Sequence, residues 1–315
     1  MLFGLTLFLL STAGSAQTLA VEAQGRLLSE SGYALFALPG ESLEIYVNAV
    51  SVSLEPSLGT VEFLSSGLAY GPSSAGSLWR WTAPPDAGEF GTLIITANDG
   101  SAELNLSMFV LVPAQAVADG YIGEFRVDAY PLDAPRDRNS DYVPPAGFIE
   151  VTPQNRDSRI SPHFRIGQFV SKQQGGWPKY VAPGPTLYAK LELLLAAVNE
   201  AGFAADTLHV MSGYRTPFYN HAIGNVRFSR HIYGDAADVF VDIDENTYMD
   251  DLNGDGRVSV DDARVMASWL EGLGADVEFA PLSGGLGIYD ANKYHGPFIH
   301  VDTRGHSARW GLFAD

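Results

Sequence analysis

Along residues 18–113 apolar and polar positions alternate with a period of two. Leu43, Ile45 and Val47 fall on one face and Ser42, Glu44 and Tyr46 on the other, the pattern of half-buried strands. Leu93-Ile94-Ile95-Thr96 and Leu104 to Met108 flank Asn98-Asp99-Gly100, a turn whose residues accept positive φ, so a hairpin is predicted there. The stretch 17–113 reads as an all-β, immunoglobulin-like sandwich. Trp79 and Trp81 share a strand face, as core or as an exposed sugar platform, and core is the expectation for such large rings.

The period then changes. Pro131, Pro135, Pro144 and Pro145 interrupt any long element in 114–160, which predicts an ordered, proline-rich linker. From Thr186 to Ala201 the residues Leu187, Leu191, Leu194, Leu195 and Val198 make one apolar helix face, and Gly202 can end the helix. Leu208 to Met211 reads as a strand leading into Ser212-Gly213-Tyr214-Arg215-Thr216-Pro217. Residues 161–315 are therefore expected to form an α+β domain, a small antiparallel sheet with helices. At the start of the chain an apolar run, Leu2 to Leu10, precedes Ala13-Gly14-Ser15-Ala16. That run is too short to span a bilayer, and with the small residues it predicts a signal peptide over 1–16, hence export to a periplasmic or secreted location. It lacks the usual basic start, since the first basic residue is Arg26.

Composition narrows the chemistry. The chain has 315 residues, with 37 Asp plus Glu against 19 Lys plus Arg and a formal charge of -18, a balance that disfavours nucleic acid or an anionic membrane as partner. A content of 46% hydrophobic and 18% charged residues suits a folded protein of about two domains, expected to be monomeric. The absence of cysteine removes every thiolate ligand and nucleophile. With only seven histidines, a grouping of imidazole and carboxylate carries information.

Two such segments occur, Ser229-Arg230-His231-Ile232-Tyr233-Gly234-Asp235-Ala236-Ala237-Asp238 and, later, His295-Gly296-Pro297-Phe298-Ile299-His300-Val301-Asp302. A turn at Gly234 would bring His231 and Asp238 together, and His300, two strands away, could complete a site of two imidazoles and one carboxylate with a fourth position open to water. A core His231, a surface Asp238 and a structural His300 are the competing readings. His209 and His163 have no ligand partner nearby in sequence and are expected to be structural. Tyr214 and Tyr233 fit either a cleft wall or packed core.

The pattern Ser-x-His-x-x-Gly-x-Ala-x-Asp, at Ser229, His231, Gly234, Ala236 and Asp238, resembles the motif of the zinc D,D-peptidases, the D-alanyl-D-alanine carboxypeptidase and murein endopeptidase group. Ser-Gly-Tyr-Arg at 212–215 and His-Val-Asp at 300–302 follow the family order, so the resemblance covers about 161–315. It implies zinc on His231, Asp238 and His300, with Arg215 near the scissile carbonyl or the substrate carboxylate. It also implies peptidoglycan peptides as the substrate class. Many family members carry an acid three residues before the last histidine; here that position is Pro297. Asp302 is the replacement candidate for general base, with orientation of His300 as its equal alternative. His295 is a further candidate for proton transfer.

A second metal motif lies between these ligands. Asp251, Asn253, Asp255, Ser259 and Asp262 occupy positions 1, 3, 5, 9 and 12 of a loop with Gly256 at 6, and Arg257 would contribute its backbone carbonyl. The loop resembles a single dockerin-type calcium loop, with an exiting helix from Ala263 to Leu270 and an insertion at 242–272. Its competing reading is a surface turn in which Ser259 and Asp262 cap the helix. From Asp238 to Asp262 there are nine acidic residues against one arginine, a repulsion that a cation would relieve. The expected function is an exported zinc peptidase acting on the cell wall and stabilised by calcium. A non-catalytic wall-binding protein and an adhesion module are the alternatives.

Overall fold

The computed structural model describes residues 18–70, 74–133, 142–276 and 282–313. The expected signal segment, 1–16, and linker positions 134–141 lie outside them. In chain order the first nine strands are β1 (Val21–Ala23), β2 (Arg26–Leu28), β3 (Ala34–Ala37), β4 (Ser42–Val47), β5 (Val52–Pro56), β6 (Thr60–Tyr70), β7 (Ser74–Thr82), β8 (Phe90–Ala97) and β9 (Glu103–Val110). They form two sheets, ordered β2-β1-β4-β7-β6 and β3-β9-β8-β5. Strand β4 buries Leu43, Ile45 and Val47 and turns Ser42 and Glu44 outward, as its alternation dictates. The hairpin is present as β8 and β9, with Thr96 opposite Glu103. Trp81 is fully buried and donates its Nε1 hydrogen to Leu58 O at 2.8 Å, while Trp79 packs partly buried on the same core.

Strand β3 is buried on both faces. Leu35 and Ala37 enter the core between the two sheets. Ala34 and Phe36, pointing the other way, join a second core built mostly from residues beyond 111. Strand β9 divides likewise, with Met108 and Val110 in the first core and Phe109 in the second. The sequence boundary at residue 113 is thus crossed by continuous apolar packing.

The linker is structured too. Just before it comes β10 (Val112–Pro113); the linker itself contributes the hairpin β11 (Tyr121–Ile122) and β12 (Phe125–Arg126), and β13 (Gly147–Val151), which pairs with both β10 and β14 (Lys179–Val181). Helix α1 runs Pro185–Glu200, one residue earlier at each end than predicted, because Pro185 at its first turn needs no hydrogen-bond acceptor. After it come β15 (His209–Ser212), the short α2 (Pro217–Ala222), β16 (Ala236–Phe240), α3 (Val260–Asp276), β17 (Gly285–Tyr289), β18 (Phe298–Asp302) and β19 (Ala308–Gly311). The last sheet is ordered β15-β16-β18-β17-β19, antiparallel except for the β17–β19 pair. Helix α3 packs on α1, β17 and β18.

Candidate metal centre

The central strands of this sheet carry the site. In the β16–β18 ladder Asp238 lies directly opposite His300, so their side chains share a face. The expectation of a histidine two strands away is corrected here, for the two strands are neighbours. His231 arrives on a 3-10 turn, Arg230–Tyr233, that ends in left-handed Gly234 at φ 81°. A side chain at Gly234 would also strike Ala182, so the fold-back needs glycine.

His231 Nε2 lies 3.2 Å from Asp238 Oδ1 and 3.2 Å from His300 Nδ1, and His300 Nδ1 lies 2.9 Å from Asp238 Oδ1. All three residues are buried. The far nitrogens decide the tautomers. His231 Nδ1 donates to Gly213 O at 2.7 Å, and His300 Nε2 donates to Asp302 Oδ2 at 3.2 Å. Each neutral ring therefore turns a lone pair toward the other and toward a carboxylate oxygen. Three acceptors facing one another repel unless a cation or a proton sits among them, and ligands about 2.0–2.1 Å from a tetrahedral zinc stand roughly 3.3 Å apart. The donor set fits such an ion. Among the described residues this is the one group of three or more His, Asp or Glu ligand atoms that close together.

Residues 170–251 match the family model Peptidase M15. The match takes in Arg215, His231 and Asp238 and ends before His300. No curated protein and no solved structure matches the chain.

Around the three donors, further groups fix their positions. Arg215 donates Nη2–H to Asp238 Oδ2 and Nε–H to Ser212 Oγ at 2.8 Å, which leaves Asp238 Oδ1 for the centre. Burial alone would raise the Asp238 carboxyl, but His231 and His300 hold it well below the usual range. Burial lowers His231. On His300 burial acts the same way, and the hydrogen bonds to Asp238 and Asp302 outweigh it and raise the ring.

Asp302 is fully buried. Besides His300, it accepts from Gly285 N at 2.7 Å and from Arg304 Nε and Nη2 at 2.9 and 2.5 Å. Burial opposes its charge, yet these donors keep it ionised far below the carboxylate range. It stands beside the His300 nitrogen that faces away from the other donors. His295 is engaged within its own loop, with Nε2 2.7 Å from Asn292 Nδ2 and Nδ1 2.8 Å from Gly296 O.

A cleft of about 530 Å³ opens onto the three donors, lined also by Arg215, Arg230, Arg304, Phe228, Tyr289 and Trp310. Asp238 is the one carboxylate among its described lining residues, and His295 is not part of that lining. Arg230 pairs with Asp235 and lies over the Tyr142 and Tyr233 rings at 5.3 and 5.0 Å. Tyr214 is buried, with its hydroxyl 2.8 Å from Tyr130 OH. His163 and His209 bond Glu192 and Asp242, at 2.7 and 3.1 Å.

Sequence reasoning missed Gly213 and Lys190. Lys190 Nζ donates to Asp302 O at 2.8 Å from α1, holding the strand end that carries His300. Its signal was present: at 190 a lysine falls on the Leu187, Leu191, Leu194 stripe, where a charged residue needs a buried partner.

In the second motif, Asp251 accepts from Gly254 N and Gly256 N at 2.8 and 2.7 Å. Asp255 Oδ1 accepts from Arg257 N at 2.9 Å, and buried Asp262 accepts from Leu252 N and Ser259 N at 2.8 and 2.7 Å. Asn253 Oδ1 accepts from Asp255 N at 2.9 Å. The exiting helix starts at Val260, three residues before the expected Ala263.

Proposed function

We propose that this chain is an exported, zinc-dependent peptidase that hydrolyses peptide bonds in peptidoglycan stem peptides or crosslinks, as a D,D-carboxypeptidase or murein endopeptidase. The observation that carries this reading is the meeting of two imidazole lone pairs and a carboxylate oxygen, with tautomers set by Gly213 and Asp302. The Peptidase M15 match over 170–251 supports the same class. His231, Asp238 and His300 would hold the zinc. Bound there, zinc supplies a Lewis acid for the amide carbonyl and lowers the pKa of water.

The chain's own groups do the rest. Arg215 borders the cleft beside Asp238, where a fixed guanidinium can stabilise charge developing on the carbonyl oxygen. Asp302 holds the His300 ring; its saturated lone pairs and depressed pKa make it a positioning residue rather than a proton acceptor. Residues 251–262 would bind calcium as a structural clamp. The sandwich over 17–113, immunoglobulin-like in this reading, would hold the 161–315 domain against the wall through the 114–160 segment.

A second reading, a non-catalytic wall-binding protein, is favoured by Pro297 and by the lack of any carboxylate but Asp238 among the described cleft residues. Zinc-loaded protein incubated with defined peptidoglycan fragments separates the two. Products identified by mass, lost with His231→Ala, support the peptidase; no product from either carboxypeptidase or endopeptidase substrates leaves the binding protein.

A further inference from the structure

The turn of the β11–β12 hairpin and the loop from Gln173 to Pro178 enclose a second cavity of about 240 Å³ that shares no lining residue with the metal cleft. Sites for drug-sized ligands run roughly 300–1,000 Å³, so this one suits a single ring. Trp177, 40% exposed, forms one wall, with Tyr180 and Phe218 among the others. The Arg126 guanidinium lies 4.1 Å from the Phe218 ring centre and is fixed by Asp128 at 2.9 Å. Glu124 and Gln174 also line the cavity, and neither has a hydrogen-bond partner among the described residues.

An indole, with the Lys179 ammonium 5.9 Å from its ring centre, beside a carboxylate and a carboxamide without protein partners and a guanidinium fixed by Asp128, is the chemistry that a pyranose ring needs. Its axial C–H face lies on an aromatic surface, while its hydroxyls require planar donors and acceptors at the edge. A purely apolar ligand would leave the Glu124 carboxylate and the Gln174 carboxamide desolvated without partners, whereas Arg126 keeps Asp128. A chain of contacts links the cavity to the metal cleft. Gln173 donates to Arg126 O at 2.9 Å and accepts from Thr216 Oγ1 at 2.5 Å, and Thr216 follows Arg215 in the chain.

We propose that this cavity is a saccharide subsite that holds one sugar ring of the wall glycan while the attached peptide reaches the cleft. The saccharide chemistry stands on the cavity alone; its use in positioning peptide rests on the peptidase reading. The test titrates the zinc-loaded full chain with N-acetylglucosamine oligosaccharides, following tryptophan fluorescence and saturation-transfer NMR, with peptide hydrolysis measured in parallel. Saturable binding is expected, weakened about tenfold by Trp177→Ala and severalfold by Gln174→Ala. Tyr294→Ala, an exposed aromatic elsewhere, is expected to match the parent chain. Three results would overturn the assignment: no saturation up to about 10 mM sugar, undiminished binding in Trp177→Ala, or a free stem peptide that perturbs Trp177 where the sugars do not. Sugar binding without any peptide hydrolysis would keep the subsite and remove the peptidase reading alone.

Discussion

The two candidate metal motifs of this chain differ in where their lone pairs point. At His231, Asp238 and His300 the free electron pairs face one another inside the protein, since the opposite ring nitrogens are already committed to Gly213 and Asp302. In the loop from Asp251 to Asp262 the carboxylates of Asp251, Asp255 and Asp262 face their own backbone, each accepting from N–H groups of the same loop. A buried set of mutually repelling acceptors has no low-energy state without a cation or a proton among them. An exposed loop whose acceptors are already satisfied has one. The first motif therefore needs a cation or a proton at its centre, whereas the second is satisfied by its own backbone, although both are equally legible as motifs.

The contrast breaks first at Asp302. If this carboxylate acts by holding the His300 tautomer, Asp302→Asn should weaken zinc binding about 10- to 100-fold, and excess zinc should restore most of the turnover. Zinc content by mass spectrometry and kcat at rising zinc would check this. A variant that stays inactive at full zinc occupancy would return Asp302 to the role of base.

Support beneath the centre gives a smaller, pH-dependent effect. Burial lowers Lys190 to about 8, from an ordinary lysine value near 10.4. Between those values the unfolded chain keeps a proton that the folded chain has lost, so this residue's contribution to stability rises with pH across that window. Lys190→Met should flatten the rise, a difference on the order of 1 kcal/mol between pH 8 and 10 in denaturant titrations. Parallel pH profiles for parent and variant would contradict the burial.

Much of this was readable from sequence, and the rest was hidden for a definite reason. The alternation in β4 and the apolar stripe of α1 are local and set by periods of 2.0 and 3.6, so they survive without coordinates. The triad was legible because Gly234 and the His-Val-Asp strand bring known side-chain types to predictable faces. The partners that fix those side chains come from remote segments: Gly213 O from the end of β15, Lys190 from α1, Gly285 N from β17. The sharing of β3 and β9 between two cores was likewise invisible, since a strand buried on both faces looks in sequence like any apolar run. Asp302 shows the limit best, because alternation placed it on the same face as His300 yet could not say that Arg304 and Gly285 would saturate it.

The least effect is expected at the loop, where the backbone already satisfies the acceptors. A cation that binds only the folded loop stabilises it by RT ln(1 + [L]/Kd), about 0.8 kcal/mol at three times Kd. In zinc-saturated protein, millimolar calcium should therefore raise the unfolding midpoint by a degree or two. Asp251→Asn should abolish that increment, since it removes the charge at loop position 1 while keeping an acceptor for Gly254 N and Gly256 N. The zinc control is essential, because a chelator strips both ions and stripping the buried centre would mask the smaller term. An unchanged midpoint with calcium, in protein whose zinc content stays constant, would mean that the backbone N–H groups alone satisfy the loop and that Ser259 and Asp262 serve α3 simply as its cap.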